Sequence, residues 1–342
     1  MKKISLLIFA VLAIVSTKAQ DIGQIIAGSK ADANQYLTSY MEPFGKAEIL
    51  NMGRGWFSTS RVHKLLGFDI SVNGQLSTVP TDKQSFIFRN ADYSTFKLKN
   101  TTIASAVVPT FEGDGASQIL SVKTTLKNGQ SVSYEFNTPN GIRKDFEFVP
   151  LPIIQVGVGL IKHTELKVRY FPKTTFSNTE IGVFGVGVQH EFSDYLPFIK
   201  KVPFLHLSAL AAYNTTTASY DLTGKGVEGA NQRVDLKMSA FTVQGIASVK
   251  FAFLEVYTSL GYTTGKADVN LNGSYTITYK DQTNPLITYK ETVVDPIALS
   301  YNNSGVSNTT GIRLNLLFFK IYGDYTFANY NGFGAGVAFS FR

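Results

Sequence analysis

The chain has 342 residues, no Cys, only 17% charged residues and a formal net charge of +7. Without Cys it is no disulfide-stapled secreted domain. Its charge falls to 7 − 3 = +4 once Lys2, Lys3 and Lys18 leave with a leader, too little for a nucleic-acid surface.

Lys2 and Lys3 precede an apolar run, Ile4 to Val15, and a small-residue site at Ala19. Residues 1–19 therefore read as a secretory leader cut after Ala19. At about twelve residues the run is too short for a spanning helix, and no later segment approaches the ~18 apolar residues that one needs. Residues 20–46 read as a short helical plug or cap. Ile22, Ile25 and Ile26, then Tyr36, Leu37, Tyr40 and Met41, recur at helical spacing, and Pro43 and Gly45 are expected to end it.

Residues 47–342 carry the two-residue rhythm of strands. Glu48–Phe57 is expected to be a first strand, with Trp56 either a membrane-interface anchor or packed beneath the plug. Leu66–Val79 is expected to be the second. Residues 81–150 are weakly patterned. Ser85–Arg89, Ile119–Leu126 and Ser131–Phe136 suit strands, Asn128-Gly129 suits a hairpin turn, and Asn90–Gly115 reads as surface loop. From Leu151 the alternation is clear. Ile154, Val156, Val158 and Leu160 oppose Gln155, Gly157 and Gly159, and Ile181–Phe192 slips phase near Val183, as at a β-bulge. At the end Phe333, Ala335, Val337, Phe339 and Phe341 oppose Gly334, Gly336, Ala338 and Ser340. Long polar connectors are expected at Thr215–Met238 and Thr264–Ser307, with tight reversals near Lys162, Lys250 and Phe319 on the opposite side.

One face oily, the other small or polar, with short turns at one end and long loops at the other, is the pattern of an antiparallel transmembrane β-barrel in an outer membrane. The expected count is about 14 strands, within a range of 10 to 14. A mean hydropathy of +0.03 fits two faces that cancel. Glu165, Lys167, Arg169, Glu255, Arg313 and Asp324 fall opposite the oily face and are the candidate lumen lining. They would form a polar constriction or a structural salt-bridge network. His63, His163, His190 and His206 show no metal-ligand spacing, and Gly182, Gly185 and Gly187 lie in a strand, not in a nucleotide loop. No metal or cofactor is expected, and no nucleophile–base arrangement is visible in the linear sequence, so no enzyme is expected.

Gly53-Arg54-Gly55-Trp56-Phe57-Ser58-Thr59, with His63-Lys64-Leu65-Leu66-Gly67-Phe68-Asp69, resembles the opening of an uncharacterised outer-membrane barrel family common in bacteroidetes. The Ala19–Gln20 junction is also common there. In layout the chain loosely resembles the outer-membrane long-chain fatty-acid transporter family, which implies an N-terminal plug before about fourteen strands. None of that family's ligand-binding residues has a counterpart here. The leading expectation is a passive channel or transporter for small, possibly hydrophobic, solutes. The alternative is a non-transporting surface or envelope protein whose external loops bind a partner. Outer-membrane lipid and the barrel assembly machinery are the expected partners, and nucleic acid is not.

Overall fold

A computed structural model describes residues 19–141, 149–176, 178–224, 228–280 and 286–341. The leader expected over 1–19 lies, apart from Ala19, outside them. Two helices, α1 (Ala19–Ile26) and α2 (Lys30–Met52), precede β1 (Phe68–Ser77). Five short strands follow: β2 (Ser85–Arg89), β3 (Phe96–Leu98), β4 (Ser105–Pro109), β5 (Ile119–Thr125) and β6 (Ser131–Asn137). Then come β7 (Val149–Gly159), β8 (Thr164–Phe176), β9 (Thr179–Glu191), β10 (Leu205–Asp221), β11 (Glu228–Phe251) and β12 (Leu254–Lys280). The chain ends with β13 (Thr288–Val294), β14 (Ile297–Leu316), β15 (Phe319–Phe327) and β16 (Gly332–Phe341).

Ten antiparallel strands close a ring, β1-β7-β8-β9-β10-β11-β12-β14-β15-β16, and β16 returns to β1. That seam is paired without a break from Phe68↔Phe341 to Ser77↔Gly332. Closure leaves no edge strand in the ring, as a hydrocarbon environment demands. The ring holds ten strands, the lower end of the expected range of 10 to 14. Ser85–Arg89, Ile119–Thr125 and Ser131–Asn137 are strands, but they pair with β4 and β3 and with each other in two small sheets outside the ring. The stretch expected as loop over Asn90–Gly115 supplies β3 and β4. The bulge lies on β8: Phe171 pairs with Val183 and Thr174 with Ile181, so Pro172 and Lys173 oppose Gly182 alone.

The turns around residues 160–163, 252–253 and 317–318 lie at one end, where Lys162, His163, Ala252 and Leu317 adopt positive φ. Short turns mark the periplasmic end of such barrels, so the insert between β1 and β7 and the β12–β14 excursion face outward.

The strands β10, β11, β12 and β14 overshoot the membrane. β12 has 27 residues, whereas about 9–11 suffice to cross. Along β12 the two faces exchange character while the alternation never slips. In the lower half Val256, Leu260 and Tyr262 point out and are exposed, against inward Glu255, Ser259 and Thr263. In the upper half Ala267, Leu271, Tyr275 and Tyr279 are buried inside, and Lys266, Asp268, Asn270 and Asn272 lie on the other face. Lipid below and water above account for the exchange. The connectors expected at Thr215–Met238 and Thr264–Ser307 are thus mostly strand. Their buried inner residues pack with α2 and the insert in one core that includes Tyr36, Phe44, Ile49, Phe88, Phe96 and Leu271. The upper part, with the insert and α1, is here called the head.

Candidate functional site

The N-terminal segment fills the lumen from above. Ser29 caps α2 by accepting from the Asp32 N–H at 3.0 Å. Asp32, only 3% exposed, accepts in turn from the backbone N–H groups of Ser94, Thr95 and Phe96 in the insert. Burial alone would raise its pKa, but the Thr95 hydroxyl and these N–H groups outweigh burial and hold it below its ordinary value.

The helix does not stop at Pro43. It runs to Met52, and no strand forms over Glu48–Phe57. Proline removes one helical hydrogen bond, but α2 is encased by the wall and the head, and Phe44 packs edge-on against Phe111 at 5.3 Å. Past Gly53 the chain descends in irregular form through the barrel to join β1 at the periplasmic mouth.

Irregular backbone at membrane depth needs partners, and side chains of the wall supply them. Arg169 donates to the carbonyl oxygens of Met52 at 3.2 Å and Arg54 at 2.7 Å. Asn214 donates to Met52 at 3.2 Å, Gln244 to Gly53 at 2.9 Å, Gln155 to Trp56 at 3.2 Å and Gln189 to Thr59 at 3.0 Å. Arg54 reaches Asn51 and Ser77 at 3.0 and 2.6 Å, and also the Tyr330 carbonyl. Trp56 is 1% exposed within the lumen, so it is no interface anchor. The Arg169 guanidinium lies 3.6 Å over its ring. On another side the ring approaches Gly187 so closely that a Cβ there would sit 3.0 Å away.

Each of the six lumen candidates faces the wall's interior, and Glu255 and Arg313 stand opposite one another in register on β12 and β14. Arg169, fully buried, holds the upper plug. Glu255 accepts from Ser248 at 2.8 Å and from Thr59. Arg313 donates to Ser58 at 3.0 Å. Asp324 accepts from the Tyr257 hydroxyl at 2.9 Å. Glu165 and Lys167 pair at 2.6 Å.

Near the periplasmic mouth Glu165 belongs to a cluster that the sequence did not reveal. Its Oε2 lies 2.8 Å from His63 Nδ1 and accepts from the His63 backbone N–H at 2.9 Å. His63 Nε2 lies 2.8 Å from Ser340 Oγ. A carboxylate at Nδ1 places the ring proton there, so Nε2 accepts from the serine hydroxyl. Asp69 stands beside this group, its ligand oxygen within 4.8 Å of those of His63 and Glu165, and accepts from the Gly157 N–H at 3.1 Å. Ser340 and His63 are 277 positions apart, and only the wall and plug together bring them into contact. Gln155, Gln189, Asn214 and Gln244 were also missed as plug holders. The available signal was an amide placed repeatedly on the inward phase of Gly-rich strands.

The model of one family covers residues 1–341. The chain belongs to DUF6588, a family of unknown function. No curated protein matches the sequence. Among solved structures it is similar to the attachment invasion locus protein Ail of Yersinia pestis, at 10% identity and a TM-score of 0.26, covering 81% of this chain and 99% of that one. It is also similar to the outer-membrane protease OmpT of Escherichia coli, at 10% identity and a TM-score of 0.31, covering 80% and 97%. The transport unit of the autotransporter AIDA-I from Escherichia coli matches at 9% identity and a TM-score of 0.30, covering 88% and 99%. Such likeness concerns architecture alone, and no residue role is carried across. A protease among these barrels nonetheless corrects the expectation that the chain is no enzyme: its enzyme status is not established. That expectation rested on the linear sequence, where the Ser340–His63–Glu165 contact is invisible. The lipid-facing belt and closed ring of this DUF6588 chain make it an outer-membrane β-barrel.

Proposed function

We propose that this barrel is held shut by its own N-terminal segment and acts at the cell surface through its head. One observation carries the reading: nine of the ten ring strands hydrogen-bond to residues between Lys46 and His63. The contacts already described come from β1, β7, β8, β9, β10, β11, β12, β14 and β16, with Asn303 to the Lys46 carbonyl at 2.9 Å adding to those of β14. Passive diffusion of solutes needs a lumen free of such contacts. The overshooting strands instead place a rigid structure above the membrane. A polar cleft of about 710 Å³ opens there, lined among others by Glu180, Asp221, Arg233, Asn272 and Asp295. It suits a polar ligand better than a hydrophobic solute. On this reading the partners are lipid along the belt, the machinery that inserts barrels, and a polar ligand at the head.

Planar-bilayer recording tests the closure. The native protein should show no steady conductance, and Arg169→Ala, which frees the carbonyls of Met52 and Arg54, should show openings. Steady conductance of the native barrel, at the level of a plug-deleted form, would end this reading.

A further inference from the structure

We propose that Ser340, His63 and Glu165 form a nucleophile, base and positioning group that hydrolyses carboxylic esters bearing a hydrocarbon acyl chain at the periplasmic mouth. The three groups are linked through the two nitrogens of one imidazole, each at 2.8 Å. A serine beside a base that a carboxylate orients is recognised by geometry, whatever the fold or chain order. The orienting end is rigid. Glu165 is 1% exposed and fixed by Lys167, while the His63 side chain keeps 11% of its surface open. A structural pin needs no open imidazole edge, whereas a base that must receive substrate does.

The surroundings indicate the acyl chain. Phe339 and Phe341 flank Ser340 in sequence but point outward to lipid, 46% and 45% exposed, while the serine hydroxyl faces the lumen. Leu65 and Leu66, two and three residues past His63, are 52% and 70% exposed at the same end. Leu65 and Leu66, on the segment that carries His63, thus favour a hydrocarbon chain over a polar acyl group at this mouth.

The chemistry balances without any co-reactant beyond water. Ser340 Oγ bonds to the ester carbonyl carbon as its proton passes to His63 Nε2. The carbon–oxygen bond to the alcohol breaks, and that proton leaves with the alcohol. Water then attacks the acyl-Ser340 carbon, giving one proton to His63 Nε2, which returns it to Ser340 Oγ as the carboxylic acid departs. Glu165 holds the Nδ1 proton throughout and balances the imidazolium.

The full chain in detergent would be treated with a fluorophosphonate probe and with p-nitrophenyl butyrate, and in vesicles with phosphatidylethanolamine. The expected result is one covalent adduct mapped to Ser340. Hydrolysis should fall at least about 100-fold in Ser340→Ala and His63→Ala. In Glu165→Gln the pH profile of hydrolysis should move while the adduct site stays. Retained heat-modifiable mobility shows each variant to be folded, and Ser340→Cys, which keeps a nucleophile in place, should retain labelling by a thiol-reactive ester. Release of fatty acid from vesicles would assign the ester to membrane lipid, and hydrolysis of the butyrate alone would assign it to a free amphiphile. The proposal is overturned if the folded native protein takes no adduct at Ser340, or hydrolyses neither ester faster than Ser340→Ala.

Discussion

At the scale of single residues, the plug is held by groups that cannot be removed singly without cost. Arg169 is fully buried, donates to two carbonyl oxygens and covers Trp56. Arg169→Met should destabilise the barrel by about 3 kcal/mol, since buried acceptors lose a charged donor. Urea unfolding followed by tryptophan fluorescence reads this directly, because Trp56 is the sole indole. Gly187→Ala should cost about 1–3 kcal/mol by overpacking: its Cβ would lie 2.9 Å from that of Ala212 as well as against the Trp56 ring. Asp32 introduces a pH dependence. Its carboxyl is held below the ordinary value in the fold, so its stabilising contribution is complete above the unfolded pKa of about 3.9 and disappears as pH falls through the folded value. Proteolysis of the head should therefore accelerate as pH falls below about 4. In Asp32→Asn that acceleration should be largely absent.

At the scale of elements, legibility depended on solvent. Where strands meet lipid, the sequence alone showed the alternation, the oily side and the inward charges, as with Phe333 to Phe341 on β16. Above the membrane the same parity continues with the apolar side turned inward. Polar outward residues such as Lys266, Asp268, Asn270 and Asn272 therefore resemble a connector in sequence, although they belong to β12. Pro43 misled for a related reason: its cost is local, while the packing that overrides it comes from the head and wall, distant in sequence. The Ser340–His63 contact was illegible because its members lie at opposite ends of the barrel chain. The boundary along β12 can be tested by a charge placed at each depth. Leu260→Lys should cost about 2–4 kcal/mol, whereas Asn270→Lys, above the belt, should be nearly neutral. Equal costs, measured by unfolding in vesicles, would show that the belt has been misplaced.

At the scale of the whole molecule, one tube is divided into two solvents' worth of design: a lipid-facing section with a polar interior, and a water-facing section with an apolar one. The plug unites them, since α2 is core material above while its continuation is a hydrogen-bonding partner below. Removing the plug should therefore open the lumen and also loosen the head. The descending segment also bears on how the wall closes. It enters β1 at the periplasmic end, and β1 is half of the β1–β16 seam. The N-terminal chain accordingly has to travel from the periplasmic mouth up through the lumen, and the same strand that closes the wall also anchors the thread inside it.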